Sequence, residues 1–231
     1  MNDNNLSLAL HDSISEETTN TLIDYSELAL DSVLDDGLFK DVPILRTALS
    51  VYKIGKSMKE RHYIKKLARF ICSLNAGIAT EESRNYYKNK IIDNSQKRNQ
   101  ELEYILVLID RYISYDKPDM LAKLYLAYLN QKILWQEFCM YAEVIDRFLT
   151  GDCSTLCSDA EKYISHGNIG VESVLRLISM GLMCETGSSS LFTNDGHGGF
   201  AVTAASMERA RVQERTYKRT EFGEQLANIL R

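Results

Sequence analysis

Proline is nearly absent from this sequence. Pro43 and Pro118 are the only two in 231 residues, and twelve glycines are thinly spread among the rest. With few helix breakers and few alternating apolar–polar runs, long stretches are left to coil, so a mainly α fold is expected. No uninterrupted apolar run reaches the roughly 18 residues of a spanning helix. Cysteines are few and odd in number (Cys72, Cys139, Cys153, Cys157, Cys184), and the opening "MNDNNLSLALHDSISEE" has neither the basic start nor the apolar run of an export signal. A reducing cytoplasm is the expected setting. A chain of this length buries enough surface to hold a core without disulfides or metals, since about 150 residues already bury roughly 68–70% of what they expose unfolded.

Motifs for chemistry are also missing. There is no Gly-x-Ser-x-Gly nucleophile and no phosphate-cradling GxxxxGK[ST], so "GHGGF" at 196–200 reads as a loop tip rather than an oxyanion loop. Cys153 and Cys157 stand four apart with His166 nine residues further on. A structural zinc takes four ligands, and with three in sight the cysteines read as small, buried apolar residues. "NQKILWQEF" at 130–138 echoes the exit of a calcium loop, but the ladder of Asp ligands before it is missing. The pairs Asp35–Asp36 and Glu81–Glu82 suit helix ends, and neighbours in sequence do not face each other on a helix. No catalytic residue, cofactor or metal is assigned, and a protein that is not an enzyme is expected.

Charge is present, and unevenly placed. The chain totals −5, yet residues 1–36 hold nine Asp or Glu and no Lys or Arg. Residues 40–69 hold nine Lys or Arg against Asp41 and Glu60, a net of +7. Lys53, Lys56, Arg61, Lys65, Lys66 and Arg69 therefore make a candidate contact surface. Three readings fit it: pairing with the acidic N-terminus, contact with an anionic partner such as nucleic acid, or an amphipathic face lying on anionic lipid.

Periodicity places the helices. Residues 1–14 are polar and expected to be a flexible N-terminus; a first helix follows from about Ser15 through Leu22, Ile23, Leu28, Leu30, Val33 and Leu34. After Gly37, Asp41 stands where a cap belongs before Pro43. A second helix near 43–57 puts Leu45, Ala48, Leu49 and Tyr52 on one side. A third, near 59–74, aligns Ile64, Leu67, Ile71 and Leu74, with Arg61, Lys65, Lys66 and Arg69 opposite, and "NAGIATEES" turns the chain. The clearest stripe is Leu102, Ile105, Leu106, Ile109, Tyr112 and Ile113. "DMLAKLYLAYLN" is apolar nearly all round and reads as a buried central helix, followed by the stripe Phe138, Tyr141, Ala142, Ile145 and Phe148. The expected organisation is a helical bundle over 15–150 and a smaller α+β unit over 151–231, with the boundary near "TGDCSTLCSD".

In that second part a short helix with Val171, Val174, Leu175 and Ile178 facing inward leads into an extended segment, a long polar loop and "TYKRTEFGEQLANIL". There Tyr217 ends a strand, Thr220 caps the last helix, and Phe222, Leu226, Ile229 and Leu230 form its inner stripe. On Leu175, Ile178, Gly181, Leu182, Tyr217, Thr220, Gly223 and Leu226 this region resembles winged-helix regulators of the MarR and PadR type. It departs from them in Arg219 before the Thr and in a long wing. The resemblance implies a winged-helix unit used either for packing and protein contact or for duplex contact. A reading helix would offer Glu172, Ser173, Arg176 and Ser179, a thin set for base edges. The wing would offer Arg209, Arg211, Arg215, Lys218 and Arg219 to phosphates.

The segments Asp41-Val42-Pro43…Lys53, Gly55, Ser57, Lys65, Lys66, Phe70 and Ala122, Leu124, Tyr125, Tyr128, Leu129, Ile133, Trp135, Phe138, Ile145, Asp146 resemble uncharacterised bacterial helical proteins. That likeness implies an accessory role near mobile elements or in phage defence. Three functions follow as expectations: an interaction protein binding a partner or itself, a nucleic-acid-binding regulator, or a peripheral membrane effector using residues 42–70.

Overall fold

The computed structural model describes residues 3–15, 42–51, 57–77, 95–149, 151–158, 162–164, 171–188 and 215–231. The helix expected beyond Ser15, the Gly37–Asp41 link, Tyr52, the rest of the expected turn beyond Gly77 and the expected wing at 189–214 lie outside these residues. The chain divides into two compact units, Met1–Asp146 and Arg147–Arg231.

All the regular elements among the described residues of the first unit are helices. Where a frayed start is expected, Asp3–Ser15 is a helix, α1. Leu6, Leu10 and Ile14 recur every four residues and are buried together with Ala9, so the polar segment has one apolar seam, enough to dock it. Buried Ser13 donates its hydroxyl to Ala9 O (2.8 Å) and accepts from the Ile44 amide (2.8 Å). That amide lies in the first turn of α2 (Pro43–Val51), where helical N–H groups have no partner of their own. Ile44, Leu45 and Ala48 are fully buried.

Helix α3 (Met58–Gly77) starts with a reciprocal cap. The Glu60 amide donates to Ser57 Oγ (3.2 Å) and the Ser57 amide to Glu60 Oε2 (3.3 Å). Its expected stripe, Ile64, Leu67, Ile71 and Leu74, is buried, but the helix continues through Asn75 to Gly77 instead of turning there. Helix α4 (Ser95–Arg111) buries Leu102, Ile105, Leu106 and Ile109, and Tyr112 just beyond it is buried too. Ile113, expected in the same stripe, is 87% exposed; the helix has ended at Arg111, so the three- and four-residue rhythm no longer sets where it points.

Helix α5 (Asp116–Leu129) is the central one, with Pro118, Leu121, Ala122, Leu124, Tyr125, Ala127 and Leu129 buried. It packs along α3. Helix α6 (Trp135–Arg147) buries Phe138, Tyr141, Ala142 and Ile145 as the periodicity requires. Trp135 stacks on Phe138 (centroids 4.7 Å apart, 15° between planes) and meets Tyr128 and Tyr104 edge-on.

The second unit runs α7 (Asp152–Cys157), β1 (Lys162–Ile164), α8 (Val171–Ser179), β2 (Met183–Ser188), β3 (Arg215–Arg219), α9 (Glu221–Leu230). The strands form one antiparallel sheet in the order β1-β3-β2. Tyr217 of β3 lies between Lys162 and Glu185, and the register shifts between Glu185 and Gly187. β1 is not foreseen by the sequence reading.

Helix α8 ends where Gly181 (φ 74) donates to Ile178 O (2.9 Å) and Leu182 to Leu177 O (2.9 Å), a left-handed closure suited to glycine. The inward residues of α8 are Ser173, Val174 and Leu177. Leu175, expected inside, is 51% exposed, because it shares the outer side with Glu172 and Ser179. On α9, Thr220 accepts from the Gly223 amide (3.0 Å), as a capping threonine should, and donates to Gly181 O (2.7 Å). Leu226 and Leu230 are buried, together with Gly223 and Ala227, while Phe222 and Ile229 are half-buried.

Candidate functional site

The twelve cations marked as contact candidates do not form one surface. Lys53, Lys56, Arg209 and Arg211 lie outside the described residues, as does the side chain of Arg215, whose backbone is in β3. Those that can be placed fall into two internal clasps and a remainder.

The first clasp is on α3. His62, Lys66, Arg69 and Ser73 follow at four-, three- and four-residue steps, so they share a side of the helix, and that side faces the joint between α4 and α5. Lys66, expected to point outward, is 2% exposed. Its ammonium donates to Asp110 O (2.7 Å) and Tyr112 O (2.5 Å) at the C-terminal end of α4, where carbonyls lack helical partners and a cation is favoured. Burial pulls the Lys66 pKa below its ordinary value, with the nearby Asp110 charge opposing and Lys59 adding to the drop.

Arg69 binds Asp119 through Nε (2.6 Å) and reaches Asp116 (3.5 Å), and Ser73 donates to the other Asp119 oxygen (2.6 Å). Both carboxylates stand in the first turn of α5, the end that favours anions. His62 Nε2 is 3.0 Å from Ile113 O and Nδ1 is 2.7 Å from Tyr115 Oη. A carbonyl only accepts, so Nε2 carries the proton, and in the neutral ring Nδ1 accepts from the tyrosine. Arg61 is exposed and Lys65 half-buried, and neither is without a partner. At Lys66 and Arg69 this face is therefore occupied by the end of α4 and the start of α5. It holds one helix end and the next helix start together.

The second clasp is in the second unit. Asp152 is wholly buried. It accepts from Arg176 Nε (3.1 Å) and Nη2 (2.7 Å) and from the Leu149 amide (2.8 Å), while Arg176 Nη2 also reaches Ser173 Oγ (2.9 Å). Burial pushes the Asp152 carboxyl upward, but the hydrogen bonds from Arg176, Leu149 and Ser173 outweigh it and hold the pKa below the usual range.

Arg219 donates to Leu156 O (3.0 Å) and Ser158 O (2.8 Å) and pairs with Glu224; Arg231 donates to Cys157 O (3.2 Å). The end of α7 is thus held by two guanidinium groups. Only Lys218 of the wing candidates is a described, exposed side chain.

Sequence reasoning missed Asp152, Asp119 and the carbonyls of Asp110 and Tyr112. Asp152 and Asp119 each sit in the first turn of a helix, which explains a carboxylate there without naming its partner. The Lys66 bonds span 44 and 46 residues, beyond any local pattern.

The thiols differ among themselves. Cys72 is pushed up to about 11 by burial and by the Asp119 charge, and burial also raises Cys139. Cys153 and Cys157, expected to be buried, are half-buried, with Sγ atoms 4.0 Å apart; His166 lies outside the described residues. Among the described residues no helix is long and apolar enough to cross a membrane. No family model, curated protein or solved structure matches this chain.

Proposed function

We propose that this chain is a non-catalytic interaction protein whose C-terminal unit is a winged helix used to contact a partner protein or a second copy. The order helix, strand, helix, hairpin, helix, with the first strand beside the last, supports the winged-helix part.

The observation that carries the protein-contact part is the outer side of α8, the helix that would read a duplex. It presents Glu172, Leu175 and Ser179, and its one cation, Arg176, is held by Asp152. Base edges are read mainly by Arg, Lys, Asn and Gln; an exposed leucine beside an acid suits a protein surface better. The membrane reading draws less support, because Val42, Ile44, Leu45 and Ala48 are buried in the first unit. An accessory setting near bacterial mobile elements or in phage defence belongs to the same proposal and rests on the resemblance of the helical part.

Affinity capture from the native cell, with and without nuclease, tests it. The expected result is a partner retained after nuclease, together with no salt-dependent shift of duplex DNA by the purified chain. A shift that is abolished by Arg209→Ala, Arg211→Ala and Arg215→Ala would move the reading to nucleic acid. Phosphate contacts would show themselves by a log–log salt slope of about 0.9 per phosphate neutralised.

A further inference from the structure

We propose that the exposed face of α4 and α6 is a docking groove for a basic amphipathic helix of a partner protein. The two helices run side by side in one direction. Tyr104 of α4 meets Trp135 at the start of α6 (ring centroids 5.9 Å apart), and Arg111 at the end of α4 pairs with Asp146 near the end of α6.

Beside that seam each helix turns one stripe outward. On α4, Glu103, Val107 and Asp110 follow at four- and three-residue steps, and on α6 Gln136, Met140 and Glu143 do the same. Both stripes have an aliphatic centre, Val107 being 63% exposed and Met140 50%. Between them lie Tyr104, Trp135 and Cys139, all half-buried. Burial, then Cys139 and the Glu143 charge, hold the Tyr104 phenol above its ordinary pKa, in keeping with these residues meeting across the seam. Trp135 rests on fully buried Phe138, which gives the groove a firm floor. Single exposed aliphatic residues are ordinary. Two of them flanking a tyrosine and a tryptophan match the make-up of interface centres, where Tyr, Trp and Met are enriched.

Charge selects the occupant. Glu103, Asp110 and Glu143 rim the groove, and none forms an ion pair with a described cation. Arg111 is taken by Asp146, and exposed Arg147 comes only at the far end of α6. A carboxylate rim around an apolar centre is complemented by an apolar seam edged with Lys and Arg. A helix with apolar residues at i, i+3, i+4 and i+7 presents such a seam, and a furrow between two helices accepts it. A second copy seated by the same face would set carboxylates against carboxylates. The groove belongs to the first unit and does not depend on the α8 reading.

The test is a titration of the full chain with two synthetic peptides of roughly 18 residues, long enough to hold a helix. Both carry leucine at the same helical spacing; one is completed with lysine, the other with glutamate. Trp135 is the only tryptophan in the chain, so its emission reports contact without a label. The expected result is a saturable emission shift at one lysine peptide per chain, with the glutamate peptide at least about tenfold weaker. Val107→Ser/Met140→Ser keeps every charge and should weaken the lysine peptide by about tenfold. Met58→Ser, which alters an exposed apolar residue of α3 outside both stripes, should leave it unchanged. Equal binding of the two peptides overturns the proposal, as does full-strength binding by the Val107→Ser/Met140→Ser chain or an equal loss in Met58→Ser. An emission shift driven by the chain's own concentration and removed by Met140→Ser makes a second copy the occupant and overturns it too. If neither peptide binds, the groove is overturned while the α8 reading stands on its own test. The two peptides on the unaltered chain decide the matter even if a serine variant does not fold.

Discussion

Asp152 is a carboxylate with no access to water, kept charged by a guanidinium that is itself 31% exposed on its side chain. The two partners are therefore not equivalent. Arg176→Met strands a buried anion and should destabilise the second unit more than removing the anion does. Asp152→Asn keeps an acceptor for the Leu149 amide and should cost about 1–2 kcal/mol; urea unfolding followed by circular dichroism compares them. The depressed Asp152 pKa fixes the sign with pH. The unfolded state binds the proton more readily, so the stabilisation is complete above the ordinary carboxylate range and lost as pH falls through it, below about pH 4. Acid titration of Asp152→Asn should show a shallower loss than the unaltered chain.

Lys66 runs the other way. Its pKa is lowered in the fold, so the folded state binds that proton less tightly and gains stability as pH rises toward 10.5, the ordinary lysine value. A neutral amine still has two N–H groups for its two carbonyls. Lys66→Met removes both donors and should cost about 1–3 kcal/mol at neutral pH. The gap between the two proteins, measured by denaturant midpoints, should widen in alkali.

Among the elements, α9 depends on the tightest-placed of the described glycines in the second unit. A Cβ at Gly223 would lie 1.9 Å from Leu182 O, a backbone atom, and Thr220 ties the same turn through Gly181 O and its own amide to Leu182 O. Gly223→Ala should therefore lift α9 off that turn and cost about 1–3 kcal/mol, as overpacking does, read as a lower Tm. Ala at Gly181 meets open space and should cost only the strain of its left-handed backbone, about 1 kcal/mol.

The Thr220 cap, the α6 stripe and the inner line of α3 were legible from residue type and spacing, because local rules set them. The seam of α1 was also written in Leu6, Leu10 and Ile14, but polar neighbours obscured it. The inward turn of Lys66 and the outward turn of Leu175 were not legible. The first depends on carbonyls far along the chain, and the second on Ser173 turning inward with Val174 and Leu177.

At the scale of the whole molecule, two units each have their own buried core, the condition under which parts of a chain can unfold separately. Much of the cationic character that seemed available to a partner is spent inside them, at Lys66, Arg69, Arg176 and Arg219. Among the described residues of the second unit, the outer side of α8 is uncharged or acidic, and Lys218 is exposed on the sheet. The only tryptophan in the sequence, Trp135, stacks on Phe138 in the helical unit. Indole emission is thus an optical reporter native to that half alone. Arg176→Met should lower the melting point followed by far-ultraviolet dichroism and leave the emission transition where it was. A ligand of the second unit can then be screened label-free, with the fluorescent half as an internal standard that the titration does not disturb.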